Sequence, residues 1–142
     1  LYELSHDFSL LWRDNTEQYG IARNFLMVKT KSVYADKPES TDGTRILTMR
    51  FWPRPLSKEK AVLHEWRREL APSKELLLDW NKGRISWQQY EQRYHEEMKS
   101  QLKIIRALAL RSKTEKITLL CKEATDEHCH RRLLKDLIEA LT

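Results

Sequence analysis

The side chains best suited to chemistry concentrate in one stretch, LLCKEATDEHCHRRLL, which runs from Leu119 to Leu134. A thiolate serves as a nucleophile or a metal ligand, and an imidazole beside it serves as base, acid or ligand. The apolar run ending at Cys121 predicts a buried strand over Lys116–Glu123. The Leu and Ile spacing that follows predicts a helix from about Asp126 to Leu141. The junction between a strand's carboxyl end and the next helix is where α/β sheets keep their ligand sites, because it opens a crevice and aims helix N–H groups into it. With Asp126 as N-cap, Cys129 falls at the third helical position. There the helix dipole and the neighbouring His130, Arg131 and Arg132 favour thiolate over thiol. Glu123 opposes that unless it pairs with Arg131.

These residues admit four readings. Cys129 can be a nucleophile with His130 or Glu123 as a helper, although neighbours on a helix point about 100° apart, so His128 or His64 are alternative partners. Cys121 and Cys129 can form a redox pair, without the CxxC signature of thiol oxidoreductases. A metal site has donors in Cys121, Cys129 and His130 or His128, but the spacing of the two Cys matches no standard zinc finger and no second CxxC is present, so no metal or cofactor is expected. Both Cys can also be small buried hydrophobes.

A second group, Arg50-Phe51-Trp52-Pro53-Arg54-Pro55, stands at the predicted exit of a strand, where Arg50 and Trp52 share a face. Two guanidiniums flanking an indole can hold a phosphate and stack a planar base. The competing reading makes Trp52 a packing residue and lets both Arg extend into water. Trp66 and Trp80 read as core anchors and His64 as a surface helix residue.

The elements that must position these groups follow from the periodicity. Residues 26–34 (LMVKTKSVY) alternate as a strand, ADKPESTDG is a loop, and RILTMRFW (45–52) is a second strand stopped by Pro53 and Pro55. Ser57 caps a helix through Leu70 with an apolar stripe of Val62, Leu63, Trp66 and Leu70. Ser73 caps a second helix closed by Gly83, and Ser86 caps the longest, continuous to Leu110. Two strands, a run of helices, a strand and a helix predict an α/β domain in three layers, with a small, mostly parallel sheet and flanking helices. The boundaries are an N-terminal arm or short helix over residues 1–25 and a single domain over 26–142.

The chain has 142 residues with 40% hydrophobic and 33% charged, within the range of one domain that folds without disulfides or structural metal. Two Cys do not make a disulfide framework, and reduced thiols are expected. No apolar run approaches the roughly 18 residues of a membrane span, and the first residues lack the pattern of a signal peptide, so a cytoplasmic protein is expected. The net charge is +5, and the first 25 residues carry −2 of it, leaving +7 on the rest. That balance favours anionic partners such as a nucleotide or nucleic acid, although acids interleave with bases and no block of like charge appears.

The segment TRILTMRFWPRPLSKEKAVLHEWRRELAPSKELLLDW, followed by Trp87, Tyr90 and Tyr94 as W..Y...Y and then by a TLL strand, resembles the domain-of-unknown-function 488 family. That family shows an Asp-Arg-Leu-Trp-Pro-Arg-Gly stretch, then EW..ELAPS, then W..F...Y. Arg50, Trp52, Pro53, Arg54, Glu65, Trp66, Leu70, Ala71, Pro72 and Ser73 match. LLCKE and CHRR are similar to the Cys-Glu and Cys-His-Arg motifs of another branch, which directs attention to Cys121, Glu123, Cys129, His130 and Arg131. Met49 stands where the family has Asp, and Pro55 where it has Gly. The resemblance covers about residues 27–142. It implies a small, intracellular, prokaryotic α/β domain with both motifs near the carboxyl edge of the sheet, and it implies no particular reaction.

The expected function is binding of an anionic, nucleotide-like or nucleic-acid ligand by Arg50, Trp52, Arg54, Cys121 and Arg131, with Cys129, His130 and Glu123 as the reactive candidates. The alternatives are a cysteine-dependent enzyme or redox protein using Cys129, and a structural or interaction module without a ligand. The first reading requires the two groups to meet in one hollow along the same rim of the sheet.

Overall fold

The computed structural model describes residues 28–142, so the arm expected over residues 1–25 and the first two residues of the expected strand lie outside the described residues. Among the described residues the sheet has four strands, β1 (Val28–Ser32), β2 (Thr44–Leu47), β3 (Glu65–Trp66) and β4 (Ile117–Cys121), in the order β1-β4-β2-β3. Every neighbouring pair is parallel. The helices are α1 (Lys58–Ala61), α2 (Lys74–Asn81), α3 (Trp87–Met98), α4 (Leu102–Arg111) and α5 (His130–Ala140). This is the three-layer α/β architecture with a small parallel sheet.

The unbroken apolar run ITLLC puts β4 in the middle of the sheet, buried along its whole length, since both faces of a central parallel strand are covered. Ile117 and Leu119, with Val28 and Ile46, face the layer built by α2 to α5, where Leu76, Tyr94, Ile105, Leu134 and Ile138 complete the main core. Leu120 and Leu47 face the other way, into a smaller cluster closed by Met49, Trp52, Leu56, Leu63 and Trp66 from the β2–β3 connection. Register is set on both sides of β4: Ser32 lies opposite Cys121, and Leu47 opposite Leu120. All the carboxyl ends of the strands therefore share one rim.

The expected serine caps are present. The side chains of Ser57, Ser73 and Ser86 accept hydrogen bonds from the N–H groups of Lys60, Leu76 and Gln89, and the Gln89 side-chain oxygen accepts the Ser86 N–H in return. Four expectations change. The helix expected over 57–70 stops at Ala61, where Val62 takes a left-handed φ of 50°. The chain then pairs as β3 against β2, and the indole of Trp66 donates to the Met49 carbonyl at 2.7 Å. An edge position open beside β2 gives Glu65 and Trp66 ladder bonds that an isolated amphipathic helix would not have. The second strand ends at Leu47 rather than Trp52, so Arg50, Trp52 and Arg54 belong to a loop and not to one face of a strand. The long helix is interrupted by a 3-10 turn, Lys99–Gln101, which re-phases the apolar stripe between α3 and α4. The last helix begins at His130, with Cys129 as its extended N-cap, and Asp126 instead accepts a bond from the Thr30 hydroxyl at 2.8 Å.

Candidate functional site

Three elements meet at the carboxyl rim. Cys121 is the last residue of β4, on its helix-covered face. Thr48 follows β2, its N–H bonded to the Leu120 carbonyl at 3.0 Å, and its hydroxyl donates to the same oxygen at 3.0 Å. His130 opens α5 beneath them. Its Nε2 lies 2.8 Å from the Thr48 carbonyl and 3.1 Å from the Thr48 Oγ1. The carbonyl can only accept, and the hydroxyl proton is already directed at Leu120, so Nε2 carries the imidazole proton. Nδ1 is thereby left with its lone pair facing the two sulfurs, 3.9 Å from Cys121 Sγ and 4.0 Å from Cys129 Sγ. The extended backbone of Cys129 brings adjacent residues 129 and 130 to the same point, which two successive helical positions would not do.

The sulfurs are electrostatically unequal. Hydrogen bonding from the Cys129 thiol lowers the Cys121 pKa, with help from the Lys122 and Glu123 N–H groups and the Arg131 charge, against the opposing effect of burial. Cys129 is pushed up because it shares its proton with Cys121 and because it is buried. Of the two, Cys121, the residue at the strand end, is therefore the thiol that gives up its proton more readily. Arg131 is 2% exposed and lies behind the cluster. Its Nη1 donates to Cys129 Sγ at 3.5 Å, its Nε has no hydrogen-bond partner, and no carboxylate pairs with it among the described residues.

The cluster forms the floor of a cavity of about 480 Å³. Arg50, Phe51, Lys74, Leu77, Trp80 and Tyr90 also line it, together with the exposed Lys122, Glu123 and His128. Burial holds the Tyr90 hydroxyl far above its ordinary pKa, so it is neutral. Arg50 is anchored by Nε to the Pro72 carbonyl at 2.8 Å, with Nη2 3.5 Å from the Ala71 carbonyl. Its guanidinium is thus tied to the Leu-Ala-Pro-Ser segment that leads into α2.

A second hollow of about 700 Å³ adjoins the first and shares Arg50, Phe51 and Lys74 with it. It adds Trp52, Arg54, Trp66 and Arg68 and, among the described residues, has no acidic side chain in its lining. Trp52 packs edge-on to Trp66 with ring centres 5.5 Å apart and donates its indole N–H to the Leu56 carbonyl. Arg68 covers the Trp66 ring at 3.8 Å. Of the residues singled out from sequence, Arg50, Cys121, Glu123, Cys129 and His130 therefore line one cavity, Trp52 and Arg54 its neighbour, and Arg131 neither. His64 accepts the Arg45 N–H through Nδ1 at 3.0 Å and is remote from the thiols in the fold's connectivity, on the β3 side of the sheet. Sequence reading missed Thr48, whose role comes from following β2 beside β4, and Lys74, Phe51 and Trp80. For Phe51 the available signal was its place between two arginines at a strand exit.

No helix among the described residues is long and apolar enough to cross a membrane. No solved structure matches the chain significantly. The chain is 31% identical over 114 residues to an uncharacterized protein of Escherichia coli (strain K12), YeaO, covering 80% of this chain and 98% of that protein. Residues 28–142, which include both hollows and the whole sheet, match the profile of a group described as the active DUF488-N3 subclade. The chain belongs to the DUF488 family.

Proposed function

We propose that the two adjoining hollows bind an anionic, nucleotide-like ligand, with phosphate held by Arg50 and Lys74 and a planar group lying against Phe51 and Trp80 above the Cys121, Cys129 and His130 floor. The observation that carries this reading is the convergence of a backbone-anchored guanidinium, aromatic walls and reactive side chains in one cavity. The second hollow, lined by no acid among the described residues, extends the positive surface from Arg50 to Arg54 and Arg68, which suits a ligand with more than one phosphate or a short single strand. Arg131, held beneath Cys129, contributes its charge from behind and does not contact the ligand. A matched subclade described as active accords with a site that keeps its reactive groups.

Isothermal titration of nucleoside mono- and diphosphates and short single-stranded oligonucleotides, at moderate salt, tests the proposal. Arg50→Ala removes a charge-assisted hydrogen bond of about 1.5–3 kcal/mol and weakens every ligand about 10- to 150-fold. Arg54→Ala weakens only ligands long enough to reach the second hollow. Absence of binding by all of them, or affinities that neither substitution changes, defeats the reading.

A further inference from the structure

The floor of the cavity supports an inference that does not depend on which anion the cavity takes. The Sγ atoms of Cys121 and Cys129 and a ring nitrogen of His130 all lie within 4.8 Å of one another, and all three residues are buried. In a tetrahedral zinc site, bond lengths of about 2.3 Å to sulfur and 2.0–2.1 Å to nitrogen place a sulfur and a nitrogen about 3.5 Å apart, and two sulfurs about 3.8 Å apart. The sulfur–nitrogen distances here, 3.9 and 4.0 Å, need to close by only a few tenths of an ångström. Small side-chain rotations supply that.

Three further features fit an ion rather than a packed thiol pair. The Nε2–H of His130 is fixed on the Thr48 carbonyl, so Nδ1 presents its lone pair to the sulfurs, the outer hydrogen bond that orients metal-binding imidazoles. Arg131 donates to Cys129 Sγ from a fully buried position without a carboxylate partner among the described residues, and a metal-bound thiolate at Cys129 would supply the negative charge this guanidinium lacks. The donors come from a strand end, a helix N-cap and the first helical residue, so the spacing need not follow that of a finger knuckle.

We infer that Cys121, Cys129 and His130 form a Cys2His site for a zinc ion. Three protein donors leave a fourth position, and because all three residues line the cavity, that position opens into it. Two thiolates balance the charge of the ion, and Arg131 leaves the cluster with one net positive charge, which water deprotonation or an anionic oxygen in the fourth position neutralises.

The test uses the full chain purified in the presence of reductant. Zinc content is measured after incubation with micromolar zinc sulfate and dialysis, and cobalt(II) is added to the metal-free protein. The expected result is about one zinc per chain and a sulfur-to-cobalt charge-transfer band. Cys121→Ser and Cys129→Ser each change one atom. Each, with its circular dichroism unchanged, weakens zinc binding by more than the roughly 100-fold that loss of an outer hydrogen bond costs, and dims the cobalt band. Arg50→Ala binds zinc as the unsubstituted chain does, so failure of anion binding and failure of the metal site read out separately. Metal-free protein after zinc incubation, a cobalt spectrum without the sulfur band, or two thiols that iodoacetamide alkylates as fast with zinc as without it overturns the inference.

Discussion

Asp42 provides the sharpest test of how the scaffold holds the site in place. It ends the 3-10 turn Ser40–Asp42 before β2, is fully buried, and faces three cations. Lys29 Nζ lies 2.8 Å away, Lys31 Nζ 3.0 Å and Arg45 Nη1 2.5 Å. The Glu39 N–H adds a bond at 3.0 Å, and the Thr118 hydroxyl donates to the Asp42 carbonyl, which locks the turn onto β4. Arg45 is itself 3% exposed, its remaining donors taken by the Val62 and Ala61 carbonyls. Asp42→Asn keeps the shape and removes the anion. Lys29 is largely in water and loses little. Arg45 is left as a buried, uncompensated charge, which costs about 3–5 kcal/mol. Against a total stability of about 5–15 kcal/mol that is a large fraction, and at about 1–3 kcal/mol per molar it lowers the urea midpoint by about 2 M. Urea unfolding followed by tryptophan fluorescence measures it. Arg45→Met in the same chain removes the orphaned charge, so the double variant is less destabilised than the two single losses added together. A loss below about 1 kcal/mol for Asp42→Asn, or strict additivity in the cycle, refutes the account of a buried pair.

The same carboxylates set the acid response. Burial acts to raise the pKa of Asp42, but hydrogen bonds from Lys29, the Glu39 N–H, Lys31 and Arg45 together hold it well below the ordinary range, and Arg111 lowers both Glu65 and Glu115. A depressed folded pKa means the unfolded chain takes up the proton first. The stability from these groups is therefore complete above pH of about 5 and is lost as pH falls through about 4 toward the folded values. Urea midpoints measured from pH 7 to 3 fall for the unsubstituted chain and fall less for Asp42→Asn; parallel curves contradict the assignment. Two glycines with positive φ among the described residues separate backbone strain from steric clash. At Gly43 (φ 65°) an added Cβ would lie 2.3 Å from the Lys116 carbonyl, whereas at Gly83 (φ 69°) nothing lies within 4 Å. Gly83→Ala thus costs about 1 kcal/mol of strain, and Gly43→Ala costs more than ~3 because it also displaces the Thr44–Lys116 bond that starts the β2–β4 ladder. Equal losses in the two unfolding curves contradict the clash.

Local signals in the chain were enough for the elements whose stabilising groups are neighbours in sequence. Ser73 and Ser86 reach N–H groups three residues on, and the run from Ile117 to Cys121 has too few polar side chains to face water on either side. The segment after Ala61 misleads because Val62, Leu63, Trp66 and Leu70 satisfy a helical stripe equally well. What decides against the helix is β2, about twenty residues earlier, whose open edge accepts Glu65 and Trp66. The helix start at His130 is another such case: Asp126 has the chemistry of a cap, but Thr30 on β1 claims its carboxylate.

For the site, residue types were legible and their relations were not. Cys121, Cys129, His130 and Arg50 are visible as a sulfur, an imidazole and a guanidinium near the ends of apolar runs, because burial pattern and side-chain chemistry are written along the chain. That His130 turns Nδ1 toward both sulfurs follows from the Thr48 carbonyl, 82 residues away in sequence, and that Arg50 reaches their cavity follows from its anchorage to Pro72. Parallel pairing of β2 and β4 brings those groups to one rim, and such pairing is a long-range contact for which no local stretch of residues carries the energy.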